Sequence, residues 1–150
     1  MLLGRKTYEI FAASWPKSEE PGAEDINKAK KYVASTTLKD VDWQNSELLK
    51  GDVVKKIQKL KEQDGPELQV HGSSNLIQTL LKENLVDQMR VWIFPVTVGK
   101  GKRLFGEGTQ PASWKLTDSE TSGTGVTMNT YEPAGDLKTG TFATAESLQS

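Results

Sequence analysis

Residues 67–81, with the sequence ELQVHGSSNLIQTLL, decide the predicted fold. Leu68 and Val70 alternate with polar residues, which predicts a short strand with one buried face. After Gly72, leucine and isoleucine recur at the spacing of an amphipathic helix. The stretch therefore predicts a strand, a glycine turn and a helix that follow one another directly.

The turn in this stretch has properties that suit a phosphate group. A helix start has unpaired N–H donors and the positive end of the helix dipole, and a glycine lets a ligand approach the backbone closely. The side chain of Ser73, Ser74 or Asn75 is predicted to cap the helix, and a capped helix after a turn is the ordinary alternative to a nucleotide site. The Rossmann fingerprint G-x-G-x-x-G is not met, because Gly72 stands alone here.

The composition predicts one globular domain and argues against several classes of site. The chain has 150 residues, a formal net charge of −1, no cysteine and one histidine. These counts exclude disulfides and thiolate chemistry, argue against a histidine metal cluster and give no electrostatic footprint for nucleic acid. Because no apolar run approaches the length of a membrane span, we expect a cytoplasmic protein without a metal site and without nucleic-acid or membrane partners.

The N-terminal residues repeat the same order of elements. Residues 1–3 are typical of the end of a strand, and Gly4 precedes a predicted helix that contains Tyr8. Arg5 and Lys6 lie where the helix dipole disfavours cations, a penalty that a bound phosphate would reverse. Two solvated surface cations are an equally good explanation of this pair.

A third position that suits an anion follows the strand predicted at residues 31–35. This strand runs into the hydroxyl residues Ser35, Thr36 and Thr37, which can donate hydrogen bonds to a phosphate or a ribose. Ordinary turn chemistry at a strand end is the commoner explanation of such residues.

The remaining pattern alternates between strands and helices. Helices are predicted at residues 23–30 and after Asp52, strands at residues 43–49 and 89–98, and a closing hairpin at residues 114–131. Alternating β and α units predict a mixed, mainly parallel sheet flanked by helices, with the hairpin as an antiparallel edge. Each of the three anion positions follows the carboxyl end of a predicted strand, so we expect them to lie at one edge of the sheet. Ligands of such sheets bind beyond that edge.

Two further segments have features of their own. Residues 89–98 are almost continuously apolar, which predicts a strand buried on both faces, although Pro95 cannot donate to a ladder and indicates a bulge or an edge. Residues 99–106, GKGKRLFG, form a basic glycine loop whose glycine spacing does not match a Walker A loop. This loop could hold a phosphorylated substrate, but a solvated turn is the simpler explanation.

Four motifs in the same order resemble the dihydrofolate reductase-like superfamily. They are LLGRKTYE at residues 2–9, YVASTTL at residues 32–38, HGSSNL at residues 71–76 and the segment at residues 87–105. The last segment resembles more narrowly the C-terminal reductase domain of bifunctional riboflavin-biosynthesis deaminase-reductases, above all the stand-alone bacterial members. We therefore expect residues 1–142 to form one reductase domain and residues 143–150 to be a polar tail.

The resemblance implies an NADPH-dependent reductase that transfers a hydride to a small heterocyclic substrate. A riboflavin-pathway aminouracil and dihydrofolate are the substrates that the family suggests. In the family, the matching motifs contact NADPH through its phosphates, its adenosine 2′-phosphate side, and its pyrophosphate and nicotinamide. These contacts map in turn to Gly4, Arg5, Lys6 and Thr7, to Ser35, Thr36 and Thr37, and to Gly72, Ser73, Ser74, Asn75 and Leu76.

His71 is the candidate for a hydrogen bond to substrate or for proton transfer. A strand-end histidine that is bonded to the backbone is the alternative. A hydrolase built on Ser73 or Ser74 with His71 is disfavoured, because these residues are sequence neighbours and no G-x-S-x-G motif is present.

Two departures from the family pattern affect the predicted site. The family turn has two adjacent glycines, whereas Ser73 takes the second position here, so we expect the turn to persist at an altered distance from the cofactor. The family's first strand has no counterpart before residue 1, so the predicted fold is N-terminally truncated and no general acid is assigned. A sheet without that strand exposes hydrogen-bonding edges, which predicts a homodimer. A non-catalytic, nucleotide-binding remnant of the fold is the alternative function.

Overall fold

The structure is a computed structural model that describes residues 1–71 and 73–137. These residues form two compact units, one with Met1–Leu85 and Lys100–Thr109, the other with Val86–Gly99 and the chain from Gln110 onward. Gly72 and the predicted tail at residues 143–150 lie outside the described residues. The expected domain boundary at residue 142 stays a prediction.

The first unit is a three-stranded parallel sheet with helices. Its strands are β1 (Leu2–Gly4), β2 (Lys31–Ala34) and β3 (Ser46–Leu49), in the spatial order β1-β2-β3. Its helices are α1 (Arg5–Ser14), α2 (Ala23–Lys28), α3 (Val53–Lys61) and α4 (Ser74–Lys82), and a 3-10 turn at Trp15–Lys17 follows α1. The order agrees with the predicted alternation of strands and helices, except that no regular strand separates α3 from α4 among the described residues.

The two faces of this parallel sheet carry separate apolar layers. Successive side chains of a strand point to opposite faces, so Leu2 and Leu3, both fully buried, contribute to different layers. Helix α4 contacts β1 and buries Leu76. The cluster that contains Leu3 consists of Leu3, Tyr8, Val33 and Trp43.

The strand predicted before Gly72 is reduced to a single bridge. Val70 forms an isolated parallel bridge with Leu2, and Leu2 N donates to Gln69 O at 2.8 Å. The segment lies beside β1, but the prediction of a full strand was wrong. The reason is local, because Gly4, the next residue of β1 that points to this side, donates to a side chain instead of the backbone.

The second unit is a three-stranded antiparallel sheet. Its strands are β4 (Met89–Ile93), β5 (Trp114–Thr121) and β6 (Thr127–Pro133), in the order β4-β6-β5. Strands β5 and β6 form the predicted closing hairpin, whose turn is held by a bond of 2.9 Å from Gly125 N to Ser122 O. The two sheets together confirm the mixed α/β class, with parallel and antiparallel strands equal in number among the described residues.

The prediction that residues 89–98 form a strand buried on both faces was wrong. Strand β4 ends before Phe94, where Val96 N donates to Phe94 O at 2.8 Å and closes a tight turn around Pro95. Pro95 has no N–H group that could continue the ladder. The side chain of Trp92 is 62% exposed. The continuous apolar run therefore did not predict which faces of the strand are buried.

A fully buried lysine connects β2 with the segments that flank it. Lys31 Nζ donates to the carbonyl oxygens of Asn27, Ala29 and Gln44, at 2.8, 2.7 and 3.1 Å. The ammonium group also lies 4.2 Å from the centre of the Trp43 ring, a cation–π distance. Three carbonyls and a ring face thus replace the water that the charge loses on folding.

Replacing Lys31 by methionine should destabilise the fold, because the three carbonyl oxygens lose their donor. We expect the free energy of unfolding to fall by about 1–3 kcal/mol in urea titrations. Lys30→Met is the matched control, since Lys30 is exposed and pairs with Glu47 at the surface. That control should stay within about 0.5 kcal/mol of the parent. Equal effects of the two variants would contradict the structural role of Lys31.

The stability of the protein should also depend on pH through Lys31. Burial lowers the pKa of Lys31 below its ordinary value of 10.5. At pH values between the lowered pKa of Lys31 in the folded chain and its ordinary pKa in the unfolded chain, the unfolded chain binds more protons. The contribution of Lys31 to the free energy of unfolding therefore rises with pH. The difference in unfolding free energy between the parent and Lys31→Met should therefore grow from neutral pH toward pH 10.5. A difference that is constant over this range would contradict the expectation.

Strand β1 and the start of α4 approach each other closely at Gly4. A Cβ atom at Gly4 would lie 2.5 Å from Ser73 Oγ and 2.7 Å from Ser73 Cβ. The φ angle of Gly4 is −81°, which any residue can adopt. Space, and not backbone conformation, therefore requires glycine at this position.

Gly4→Ala should destabilise the first unit by about 1–3 kcal/mol, the usual range for overpacking a tight site. Gly65→Ala is the control, because nothing lies within 4 Å of a Cβ atom there. Adding Ser73→Gly to Gly4→Ala should recover much of the loss, since both close contacts are to the Ser73 side chain. Thermal unfolding measures all three variants, and no recovery in the double variant would contradict the steric explanation.

Candidate functional site

The carboxyl edge of the parallel sheet holds two of the three predicted anion positions. Gly4 ends β1 and its register partner Ala34 ends β2. Arg5 and Ser35 follow these two residues directly. Since neighbouring strands lie about 4.8 Å apart, the start of α1 and the residues after β2 lie side by side, as predicted.

Ser73 brings the start of α4 to the same edge. Its Oγ atom accepts a hydrogen bond from Gly4 N at 2.9 Å and forms a second bond with Thr7 Oγ1 at 2.6 Å. One hydroxyl group therefore joins the end of β1, the first turn of α1 and the start of α4. Gly72, which the resemblance places at this turn, lies outside the described residues.

The prediction that Ser73, Ser74 or Asn75 caps α4 through its side chain was wrong. Ser73 occupies the capping position, but α4 has no side-chain cap. The Ser73 hydroxyl group points to Gly4 and Thr7 instead. Its φ of 69° places it in the left-handed region, whereas a capping side chain usually starts from an extended backbone.

The helices that meet at Ser73 begin differently from the other two. Neither α1 nor α4 has an acidic residue in its first turn or a side-chain cap. By contrast, Glu24 and Asp25 lie in the first turn of α2, and Asp52 caps α3 by accepting from Lys55 N at 3.1 Å. The first N–H groups of α1 and α4 therefore retain their capacity to bind an anion.

The cations at the start of α1 are accessible. Arg5 pairs with Glu9 at 3.0 Å, and both side chains are exposed. An exposed pair contributes little free energy, so the guanidinium group can turn toward a ligand at small cost. Lys6 is exposed as well. Both side chains can supply positive charge to this edge of the sheet.

The hydroxyl residues after β2 form a local turn. Ser35 Oγ accepts hydrogen bonds from Thr37 N at 3.2 Å and from Leu38 N at 3.0 Å. Thr36 and Thr37 are exposed. The contacts of Ser35 are those of ordinary turn chemistry, while the two threonine side chains face solvent at the same edge.

The other residues assigned to the α4 turn differ in their surroundings. Leu76 is buried and Asn75 is exposed, while Ser74 is half-buried. Leu76 belongs to the layer between α4 and β1, so any contact that it makes with a ligand would involve its backbone.

His71 lies at the end of the segment that runs beside β1. Its Nε2 atom forms a hydrogen bond with Gln69 Oε1 at 3.2 Å. Partial burial and, to a lesser extent, the positive charge of the amino terminus lower the pKa of His71. The lowered pKa favours the neutral imidazole, which can donate one hydrogen bond through its N–H group and accept one hydrogen bond or a proton at its other ring nitrogen. Ser73 bonds to Gly4 and Thr7, so no serine–histidine pair for hydrolysis is formed here.

The basic glycine loop packs partly against α4. Gln78 Nε2 donates to Leu104 O at 3.0 Å, and Thr109 Oγ1 donates to Gln78 Oε1. The three basic side chains of this loop are exposed. The solvated-turn explanation describes these side chains, whereas the hydrogen bonds that anchor the loop involve Gln78, which the sequence did not single out.

An open cavity of about 700 Å³ lies elsewhere in the first unit, between α1, α2 and the loop before β3. Trp43 Nε1 donates to Asn27 Oδ1 at 2.8 Å, and Trp43 N donates to Tyr8 Oη at 3.0 Å. Because these polar atoms bond one another, we assign no ligand to the cavity. Nothing in the polar sequence around Asn27 signals this network.

Within residues 1–71 and 73–137, no helix has both the length and the apolar character needed to cross a bilayer. The same residues contain no group of three histidine, cysteine, aspartate or glutamate side chains that could hold a metal ion.

Comparisons with known proteins identify the family of the chain. A family model described as the RibD C-terminal domain matches residues 1–128. The protein YyaP of Bacillus subtilis is 32% identical over 136 residues, which cover 87% of this chain and 72% of the relative.

Two solved structures extend the comparison. The crystal structure of a protein from Shewanella sp. PV-4, named for riboflavin biosynthesis, is 29% identical, with a TM-score of 0.72 over 88% of this chain and 72% of that one. The deaminase and 5-amino-6-(5-phosphoribosylamino)uracil reductase of Thermotoga maritima is 17% identical, with a TM-score of 0.60 over 89% of this chain and 44% of that one. The second likeness establishes the fold alone. Since the family model matches most of the chain, the protein belongs to the RibD C-terminal domain family.

Proposed function

We propose that the chain is an NADPH-dependent reductase that transfers a hydride to a small heterocyclic substrate of the riboflavin-pathway type. The observation that carries the proposal is the meeting of α1 and α4, two helix starts without carboxylates, at Gly4 and Ser73. Membership of the RibD C-terminal domain family supports the reductase class. The name of the Shewanella relative supports the riboflavin-pathway substrate.

The residues at this edge fit the phosphates of a dinucleotide. Uncapped N–H groups at a helix start favour anions, and Arg5 can place a forked guanidinium group on phosphate oxygens. Lys6, Thr7 and the exposed threonines after β2 add further donors to the same edge. When bound, NADPH would supply the hydride, while this chain's residues neutralise its phosphates and hold it in place.

Titration with NADPH, followed by a turnover assay, tests the proposed function. We expect NADPH binding, and oxidation of NADPH when a phosphoribosylaminouracil substrate is added. Binding without oxidation would favour the non-catalytic nucleotide-binding alternative. No binding at all would contradict the proposed function.

The double variant Arg5→Ala and Lys6→Ala should weaken NADPH binding by about tenfold, because it removes two charge-assisted contacts to phosphate. The control is Lys55→Ala with Lys56→Ala, which removes the same charge from the exposed face of α3. That control should leave the dissociation constant within about twofold. Equal losses in both pairs would mean that net charge alone attracts the nucleotide.

His71 is the proposed contact to substrate. His71→Ala should lower kcat by at least about tenfold while NADPH affinity is retained, since acid–base groups contribute up to about 10²–10⁴ in rate. Gln69→Ala removes the hydrogen-bond partner of Nε2 without removing the imidazole, so it should have the smaller effect. If His71→Ala left both turnover and substrate affinity unchanged, His71 would have no functional role.

The expected homodimer and the expected cytoplasmic location both stay predictions. Size-exclusion chromatography with light scattering measures the oligomeric state directly.

A further inference from the structure

Ser73 has a backbone conformation that its side chain does not favour. Its φ and ψ angles are 69° and 75°, in the left-handed region that L-residues rarely adopt. A non-glycine residue there costs about 1–2 kcal/mol. Such an outlier persists only where the surroundings hold it. Ser73 is held by the two hydrogen bonds of its hydroxyl group and by a bond of 3.0 Å from Ile77 N to its carbonyl oxygen.

The hydroxyl group of Ser73 takes the place of a backbone acceptor beside β1. Met1 O accepts from Tyr32 N on the side of β2, while Leu2 N donates to Gln69 O on the opposite side. Because backbone groups alternate in direction along a strand, Gly4 N points to the same side as Leu2 N. It meets Ser73 Oγ at 2.9 Å. Ser73 thus extends the ladder of β1 with a side chain.

Within the described residues, one of the two hydroxyl protons of Ser73 and Thr7 has no acceptor. The two groups hold two protons, and the bond of 2.6 Å between them uses one, whichever oxygen is the donor. Ser73 Oγ already accepts the proton of Gly4 N–H. Among the residues that the structure describes, neither hydroxyl group has another partner, so one O–H remains able to donate at the junction of α1 and α4.

We propose that Ser73 is a positioning residue of the dinucleotide site, which orients the Thr7 hydroxyl group so that its proton is donated to a bound phosphate. The inference rests on the proposed function and adds to it a residue where the resembling family has glycine. The chain of donors runs from Gly4 N–H through Ser73 O–H to Thr7 O–H. Each bond in such a chain polarises the next, which strengthens the terminal donor.

A double-variant cycle tests the coupling of the two hydroxyl groups. We would measure dissociation constants for NADPH and for inorganic pyrophosphate by calorimetry, with Ser73→Ala, Thr7→Val and the combined variant. We expect each single variant to weaken binding by about tenfold, as for the loss of one hydrogen bond to a charged group. The combined variant should be no weaker than either single one, because both remove the same donor.

Three further variants test whether the hydroxyl groups themselves cause the loss of affinity. Thr7→Ser keeps a hydroxyl group and should bind like the parent, and Thr79→Val is the matched control on an exposed position of α4. If Ser73→Ala does not fold, Ser73→Gly replaces it, because glycine adopts the left-handed conformation freely. In that background Thr7→Val should cost less than about twofold.

The outcomes separate this inference from the proposed function. The positioning role would be overturned if the losses of affinity multiplied in the combined variant, or if Ser73→Ala bound NADPH as tightly as the parent. In either case, NADPH binding by the parent protein would still support the proposed reductase. If the protein bound pyrophosphate with the expected coupling but did not bind NADPH, Ser73 would have its role at a phosphate site. The proposal that the ligand is a dinucleotide would then be overturned. A parent protein that binds neither ligand would overturn both.

Discussion

The hydrogen bond from Gly4 N–H to Ser73 Oγ is the constraint on which the first unit depends. It holds the start of α4 against the end of β1 and leaves no room for a side chain at position 4, where a Cβ atom would lie 2.5 Å from Ser73 Oγ. It also helps to hold Ser73 at a positive φ, an arrangement that costs about 1–2 kcal/mol for a residue with a side chain. The two positions are therefore mutually dependent, since a larger residue at either one changes what the other can be.

This contact has a consequence for charge. It brings together the positive ends of α1 and α4, the two helices of the first unit that have neither an acidic first turn nor a capping side chain. Two helix starts side by side favour a negative ligand more than either does alone, and Arg5 adds an exposed cation at the same edge. The buried Lys31 differs from Arg5, because its charge interacts with protein carbonyls and the Trp43 ring and is not available to a ligand.

Local patterns predicted local elements well. The helix after Asp52, the strand at Lys31 and the closing hairpin follow from caps, alternation and turn residues, and all are present. The pattern failed for Ser73, since a serine at a helix start normally caps it, whereas here a neighbouring strand offers Gly4 N–H as a competing donor. It also failed to identify Lys31 as buried, although Lys31 has the same parity as Val33 along β2 and so shares its face.

The sequence by itself determined the order of elements, the mixed α/β class and the residues with chemistry suited to phosphate, because periodicity, glycine and hydroxyl residues act over a few positions. Only the tertiary structure decided which donors are used within the fold and which remain for a ligand. It turned the hydroxyl group of Ser73 toward Thr7, 66 positions away, and left Trp92 exposed in a run that looks like core. The physical reason is that hydrogen-bond partners and burial depend on segments distant in the chain, which no local pattern encodes.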